Sequence, residues 1–141
     1  MNTIIERLQT TFNALNRDTI DGDLLDKLYS EDIRFQDPLH EYQSINSLKG
    51  YFKRLYKNVD SISFKYGDTE ASDVGGFVTW EMTFLNKSFN KGNPVIVNGV
   101  SHLKFRDGKI CSHRDYFDST HMIFDHVPVL RAVIRYIKNK L

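Results

Sequence analysis

Residues 95–117 read VIVNGVSHLKFRDGKICSHRDYF. Apolar and polar residues alternate on both sides of Asp107-Gly108, a dipeptide suited to a two-residue hairpin turn because both central positions of that turn need positive φ. The stretch predicts two antiparallel strands, VIVNGVSHLKF and ICSHRDYF, joined by RDGK. Side chains alternate between the faces of a strand. One face of the last strand then holds Cys111, His113, Asp115 and Phe117, and the other holds Ile110, Ser112, Arg114 and Tyr116. A carboxylate beside an imidazole on one face of a half-buried strand suits either a brace for the fold or a proton-handling site.

Outward from this hairpin, NKGNP reads as a turn, GGFVTWEMTFLNKSF (75–89) as a long strand, and SISFKYGDTEASDV (61–74) as a strand and a turn. Before residue 60 the apolar period is helical. Ile4, Ile5, Leu8, Phe12 and Leu15 make one stripe, DLLDKLYS (23–30) a short second helix, and SINSLKGYFKRLYKNV (44–59) a third with Ile45, Leu48, Phe52, Leu55 and Val59 in line. DIRFQDP (32–38) suits a short strand stopped by Pro38. The tail predicts a helix over about 127–140, its basic Arg131, Arg135, Lys138 and Lys140 forming a solvated face, with lipid or nucleic-acid contact as the minor alternative. Helices first and a meander after them predict one α+β domain over residues 1–141, with helices packed on one face of a curved sheet.

Composition narrows the function classes. In 141 residues, a hydrophobic fraction of 40% and an aromatic fraction of 13% argue for a packed core. Nineteen basic against eighteen acidic residues leave a net charge of +1, so no global field recruits nucleic acid. The single cysteine, Cys111, excludes an internal disulfide. No apolar run is long enough for a span, and the first residues, with Glu6 among them, do not read as a signal peptide. The expectation is a cytoplasmic protein with neither nucleic acid nor membrane as partner. Nucleophile-elbow and phosphate-loop motifs are absent from the sequence. HMIFDH sets His121 and Asp125 one helical turn apart, and His40 and His126 add further nitrogens, but no metal-binding spacing results; no metal and no cofactor are expected.

In the strand around Trp80, Val78, Trp80, Met82 and Phe84 form a wholly apolar row, and Thr79, Glu81 and Thr83 occupy the opposite face. Neither face is cleanly polar, so both are expected to be covered. Assigning the apolar row to the outside predicts a homodimer through the outer sheet face, the alternative being that the C-terminal helix covers that face.

The order helix, helix, short strand with DP, helix, then a meander ending in RDYFD resembles the nuclear transport factor 2-like superfamily. Within it the chain is similar to the ketosteroid isomerase and SnoaL-like polyketide cyclase groups, and it shares features with limonene-epoxide hydrolases. The resemblance implies a cone: a strongly bent, antiparallel-rich mixed sheet wrapped around the N-terminal helices, as in the cystatin-like roll, often dimeric through the convex face. In ketosteroid isomerases a general-base aspartate sits in a DP turn, here Asp37. Their protonated oxyanion aspartate falls at Ser101, and Thr11 and Phe12 stand near the place of the partner tyrosine, which speaks against steroid-type isomerisation. The last-strand aspartate of the epoxide hydrolases matches Asp115, whereas their arginine and second aspartate fall near Glu81 and Thr83.

Strand parity and the implied cone place Asp37, His113 and Asp115 as the catalytic candidates, with Phe35, Glu81, Thr83, Ser101 and Phe117 as ligand-binding neighbours. An apolar pocket moves carboxylate and imidazole groups toward neutrality, the useful range for abstracting a proton beside a carbonyl. The expected function is binding of a small apolar, carbonyl-bearing ligand, with isomerase- or cyclase-type proton transfer. The alternative is a non-catalytic ligand-binding or protein-interaction module of the same fold.

Overall fold

The computed structural model describes residues 3–122 and 126–141. Helix α1 (Thr3–Ala14) buries Ile5, Leu8 and Phe12 along the stripe its sequence predicts. Helix α2 (Leu24–Leu28) is shorter than expected, because strand β1 (Tyr29–Gln36) begins directly after it and buries alternate residues Tyr29, Ile33 and Phe35. A three-residue strand, β2 (Glu41–Gln43), returns along β1. Helix α3 (Ile45–Asn58) starts at Ser44, whose hydroxyl accepts the Ser47 N–H, and buries Ile45, Leu48, Phe52 and Tyr56. Its last carbonyls receive Arg17, which donates to the oxygens of Tyr56 and Val59 at 2.9 and 2.7 Å. A cation at a helix C-terminus satisfies both the orphan carbonyls and the dipole.

The meander follows as β3 (Ser61–Ala71), β4 (Gly75–Leu85), β5 (Val95–Arg106) and β6 (Lys109–Phe117). Strand β3 runs through Gly67 with a register shift between Tyr66 and Thr69, where the Thr79 hydroxyl accepts the Asp68 N–H at 2.8 Å, and the expected turn follows it at 72–74. Asp107 and Gly108 take φ of 51° and 76°, the two left-handed positions the hairpin requires. Beyond β6 come α4 (Ser119–Met122) and α5 (Pro128–Lys140).

The strands form one unclosed mixed sheet in the order β2-β1-β6-β5-β4-β3, with β1 and β6 parallel and all other neighbours antiparallel. Helices α1 to α3 pack on its concave face, and the main core lies between them, joining Leu8, Leu48 and Phe52 to Val78, Leu103 and Ile110. This is the expected α+β cone. Among the described residues no helix is long and apolar enough to cross a membrane.

The faces of β4 are the reverse of the sequence reading. Val78 pairs with Ser101, and Ser101 with Asp115; Trp80 pairs with Gly99, and Gly99 with Phe117. Residues directly opposite in an antiparallel pair share a face. The row Val78, Trp80, Met82 and Phe84 is therefore internal, and Thr79, Glu81 and Thr83 belong to the convex side. An all-apolar row is better satisfied by a core than by an outer surface. That row consequently supplies no outer dimer surface; the large apolar side chains exposed on the convex side are Phe77, Ile96 and Tyr116.

Candidate functional site

Between the helices and the concave face of the sheet lies a half-open cavity of about 520 Å³. Its walls are mostly aromatic, with Phe35 from β1, Tyr51 from α3, Phe64 and Tyr66 from β3, Trp80 from β4 and Phe117 from β6. Ser101, His113 and Asp115 bring polar atoms to the floor, and Asp37 and His40 to one side.

The floor is a continuous chain of hydrogen bonds. Trp80 Nε1 donates to Ser101 Oγ at 2.9 Å. Ser101 Oγ then donates to Asp115 Oδ1 at 2.5 Å. His113 Nε2 lies 2.7 Å from the same Oδ1, and His113 Nδ1 lies 2.7 Å from the Tyr29 hydroxyl. Proton bookkeeping orients every link. The indole can only donate, so the serine passes its own proton to the carboxylate. Burial, reinforced by the charge on Asp115, raises Tyr29 well above the ordinary tyrosine range, so its hydroxyl keeps its proton. With a neutral imidazole carrying its proton on Nε2, Tyr29 donates to Nδ1 and His113 donates to Asp115. Oδ1 thus accepts two bonds, while Oδ2 accepts none from the described residues.

The local sequence explains this precision. His113 and Asp115 are two apart on one strand and so share a face. Phe35 pairs with His113 across the parallel β1–β6 contact, with ring centroids 4.9 Å apart. Gly99 lies directly under the Trp80 indole: a Cβ there would come within 2.3 Å of Cη2 and 2.4 Å of Cζ2. Only glycine lets the ring lie flat enough to reach Ser101.

Asp37 is bonded within its own loop. Its Oδ1 accepts the N–H groups of Leu39 and His40 at 2.8 and 2.7 Å, and His40 Nδ1 stands 3.2 Å away. These bonds close the DPLH turn. Asp37 touches the cavity with a carboxylate already engaged by its own loop.

Of the residues singled out from sequence, Phe35, Asp37, Ser101, His113, Asp115 and Phe117 line the one cavity. Glu81 and Thr83 do not; the reversed faces of β4 carry them to the convex side, and Trp80 and Met82 take their places. Sequence reasoning missed Tyr29, Trp80, Tyr51 and Tyr66. Tyr29 was read as a helix end, and Trp80 as an outward residue. Burial, with the nearby charges of Asp37 and Asp115, raises Tyr51, and burial with the charge of Asp115 raises Tyr66. Both remain O–H donors at the cavity wall. Among the described residues no group of three acidic, histidine or cysteine side chains is placed to hold a metal ion, and the side chains of His121 and Asp125 lie outside the described set.

Residues 8–113 match the model of the SnoaL-like domain. Comparison with curated proteins gives no match. Among solved structures, a protein with a ketosteroid isomerase-like fold from Catenulispora acidiphila, in complex with trimethylamine, superposes with a TM-score of 0.73 at 13% identity, over 89% of this chain and 92% of that one. A limonene-epoxide-hydrolase-like epoxide hydrolase from M. tuberculosis gives 0.71 at 17% identity, over 93% and 94%. An NTF2-like protein from Exiguobacterium sp. 255-15 gives 0.68 at 20% identity, over 83% and 99%. At these identities the likeness concerns the fold.

Proposed function

Starting from a chain that belongs to the SnoaL-like domain family, we propose that the cavity binds a small apolar, carbonyl-bearing molecule and that Asp115 moves a proton on it. The observation that carries this reading is the asymmetry of the Asp115 carboxylate. One oxygen is fixed by Ser101 and His113, the other has no partner among the described residues, and the residue lines a mostly apolar cavity. A carboxylate oriented in this way is arranged as a general base. It takes a proton from the carbon beside the carbonyl, and the electron pair moves onto the carbonyl oxygen. The O–H groups of Tyr51 and Tyr66 stabilise the developing charge. Where the ligand carries a β,γ double bond, return of the proton to the γ-carbon as the electron pair leaves the oxygen is isomerisation; attack of the enolate carbon on a second carbonyl of the same molecule, whose oxygen takes the proton back from Asp115, is cyclisation. Asp37 holds the wall of the cavity and does not exchange the proton.

The test is deuterium incorporation from D₂O at the α-carbon of a panel of cyclic ketones, followed by proton NMR. The wild type accelerates exchange. Asp115→Asn lowers it by about 10²–10⁴-fold, the range for a positioned general base, and Asp37→Asn retains most of it. Binding of the ketones without exchange would instead identify a ligand-binding module.

The convex face, with Phe77, Ile96 and Tyr116 exposed, supports the further reading of a homodimer through the sheet. Sedimentation should then give twice the 16.5 kDa chain mass. A monomer at all concentrations would discard it.

A further inference from the structure

Helix α5 has no place in the cavity or the core. From Pro128 to Lys140 every residue is exposed except Ile134, which is half-buried. An isolated helix of this length is marginal in water, so its apolar stripe calls for a partner. Val129, Val133, Tyr136 and Ile137 recur at helical spacing and are 73%, 51%, 64% and 51% exposed. Arg131, Arg135 and Lys138 occupy the opposite arc, and Lys140 Nζ lies 5.4 Å from the Tyr136 ring centre. From His126 to Leu141 there is no acidic residue.

We propose that α5 docks in the plane of an anionic lipid bilayer surface, with its apolar stripe in the acyl boundary and its basic arc against the headgroups. An apolar stripe opposed by unbroken positive charge is the pattern of an interfacial helix. Charge also argues against the protein alternatives. Two copies of α5 would bring two uniformly basic helices together. The convex face mixes its charges, with Glu70 paired to Phe77 and Glu81 to Lys65, so it lacks the single sign of charge that an anionic lipid surface offers this helix. The solvated face expected from sequence thus becomes a binding face. The helix is rooted beside the cavity: His126 stands 5.7 Å, between ring centres, from Phe89, which lines it.

The experiment is flotation of the full chain with vesicles of phosphatidylcholine alone or mixed with phosphatidylglycerol. Binding is expected to the mixed vesicles at low salt, to weaken at high salt, and to be slight on phosphatidylcholine alone. Each basic residue near an anionic surface is worth roughly a fivefold change in binding, so Arg131→Gln with Arg135→Gln should weaken binding roughly 25-fold. Val133→Asp with Ile137→Asp should abolish it. Both variants should keep the wild-type melting temperature, because the substituted side chains lie outside the core. Failure to bind mixed vesicles at low salt overturns the proposal, as does equal binding by the variants. Self-association or duplex DNA binding that depends on α5, without vesicle binding, overturns it in favour of that other partner.

Discussion

The concave and convex faces of the sheet are made from alternate residues of the same strands, yet they obey different rules. On β5, Val95, Val97, Ser101, Leu103 and Phe105 are buried, whereas Ile96, Asn98 and Lys104 between them are exposed. The concave side is specified atom by atom: a glycine under an indole, an indole on a serine, a serine and a histidine on one carboxylate oxygen. The convex side carries apolar and charged residues with no comparable network among the described residues. The difference teaches that chemistry in this fold depends on which face a strand row occupies, and that hydrophobicity alone does not decide the face.

The largest contrast should appear on one strand. Leu103→Ala empties a fully buried site and should cost about 2–5 kcal/mol in urea unfolding, whereas Ile96→Ala on the convex side should stay within about 0.5 kcal/mol. Similar costs would mean that the convex face is as tightly packed as the core.

Gly99→Ala sharpens the comparison at the site. The added methyl meets a rigid ring, and overpacking of this kind costs about 1–3 kcal/mol. Trp80 is the single tryptophan, so its emission reports the displacement directly. An unchanged spectrum and midpoint would show that the indole has room to spare.

Tyr29→Phe removes one buried hydrogen bond, a loss of about 0.5–1.5 kcal/mol. Nitrogen-15 NMR of the His113 ring should show the proton on Nε2 in the wild type and a mixture of tautomers in the variant. An identical ring spectrum would remove Tyr29 from the orienting chain.

The smallest effect concerns pH. Burial pushes Tyr56 up to about 12. The folded state then holds the phenol proton more tightly than the unfolded chain. The stability this contributes is complete below the ordinary tyrosine value of about 10 and declines as pH rises toward the folded value. At pH about 10.5, Tyr56→Phe should lose less stability than the wild type, by under about 1 kcal/mol. Parallel losses would contradict the shift.

Much of this was legible in the sequence because it is local. Asp107-Gly108 fixes the turn of the β5–β6 hairpin, strand parity puts His113 and Asp115 on one face, and the implied cone turns that face inward; the register shift between Lys104 and Phe105 that sets Ser101 opposite Asp115 is visible only in the structure. The helical stripes of α1 and α3 are equally local. The face of β4 was not legible. It joins β5 through residues 86–94, a connection too long to transmit register, and an apolar row at Trp80 reads equally well as core or interface. Tyr29 was hidden for a related reason. It reaches His113 through β1 lying parallel to β6, 84 positions away in the chain, and nothing in DLLDKLYS announces that contact.

The most direct measurement of the central claim is α-carbon deuterium exchange by wild type and Asp115→Asn on one bound cyclic ketone, with binding followed through Trp80 fluorescence. The account predicts similar affinity and exchange reduced by about 10²–10⁴-fold. Equal exchange rates at equal occupancy would contradict it, leaving Asp115 as a structural link in the floor of the cavity.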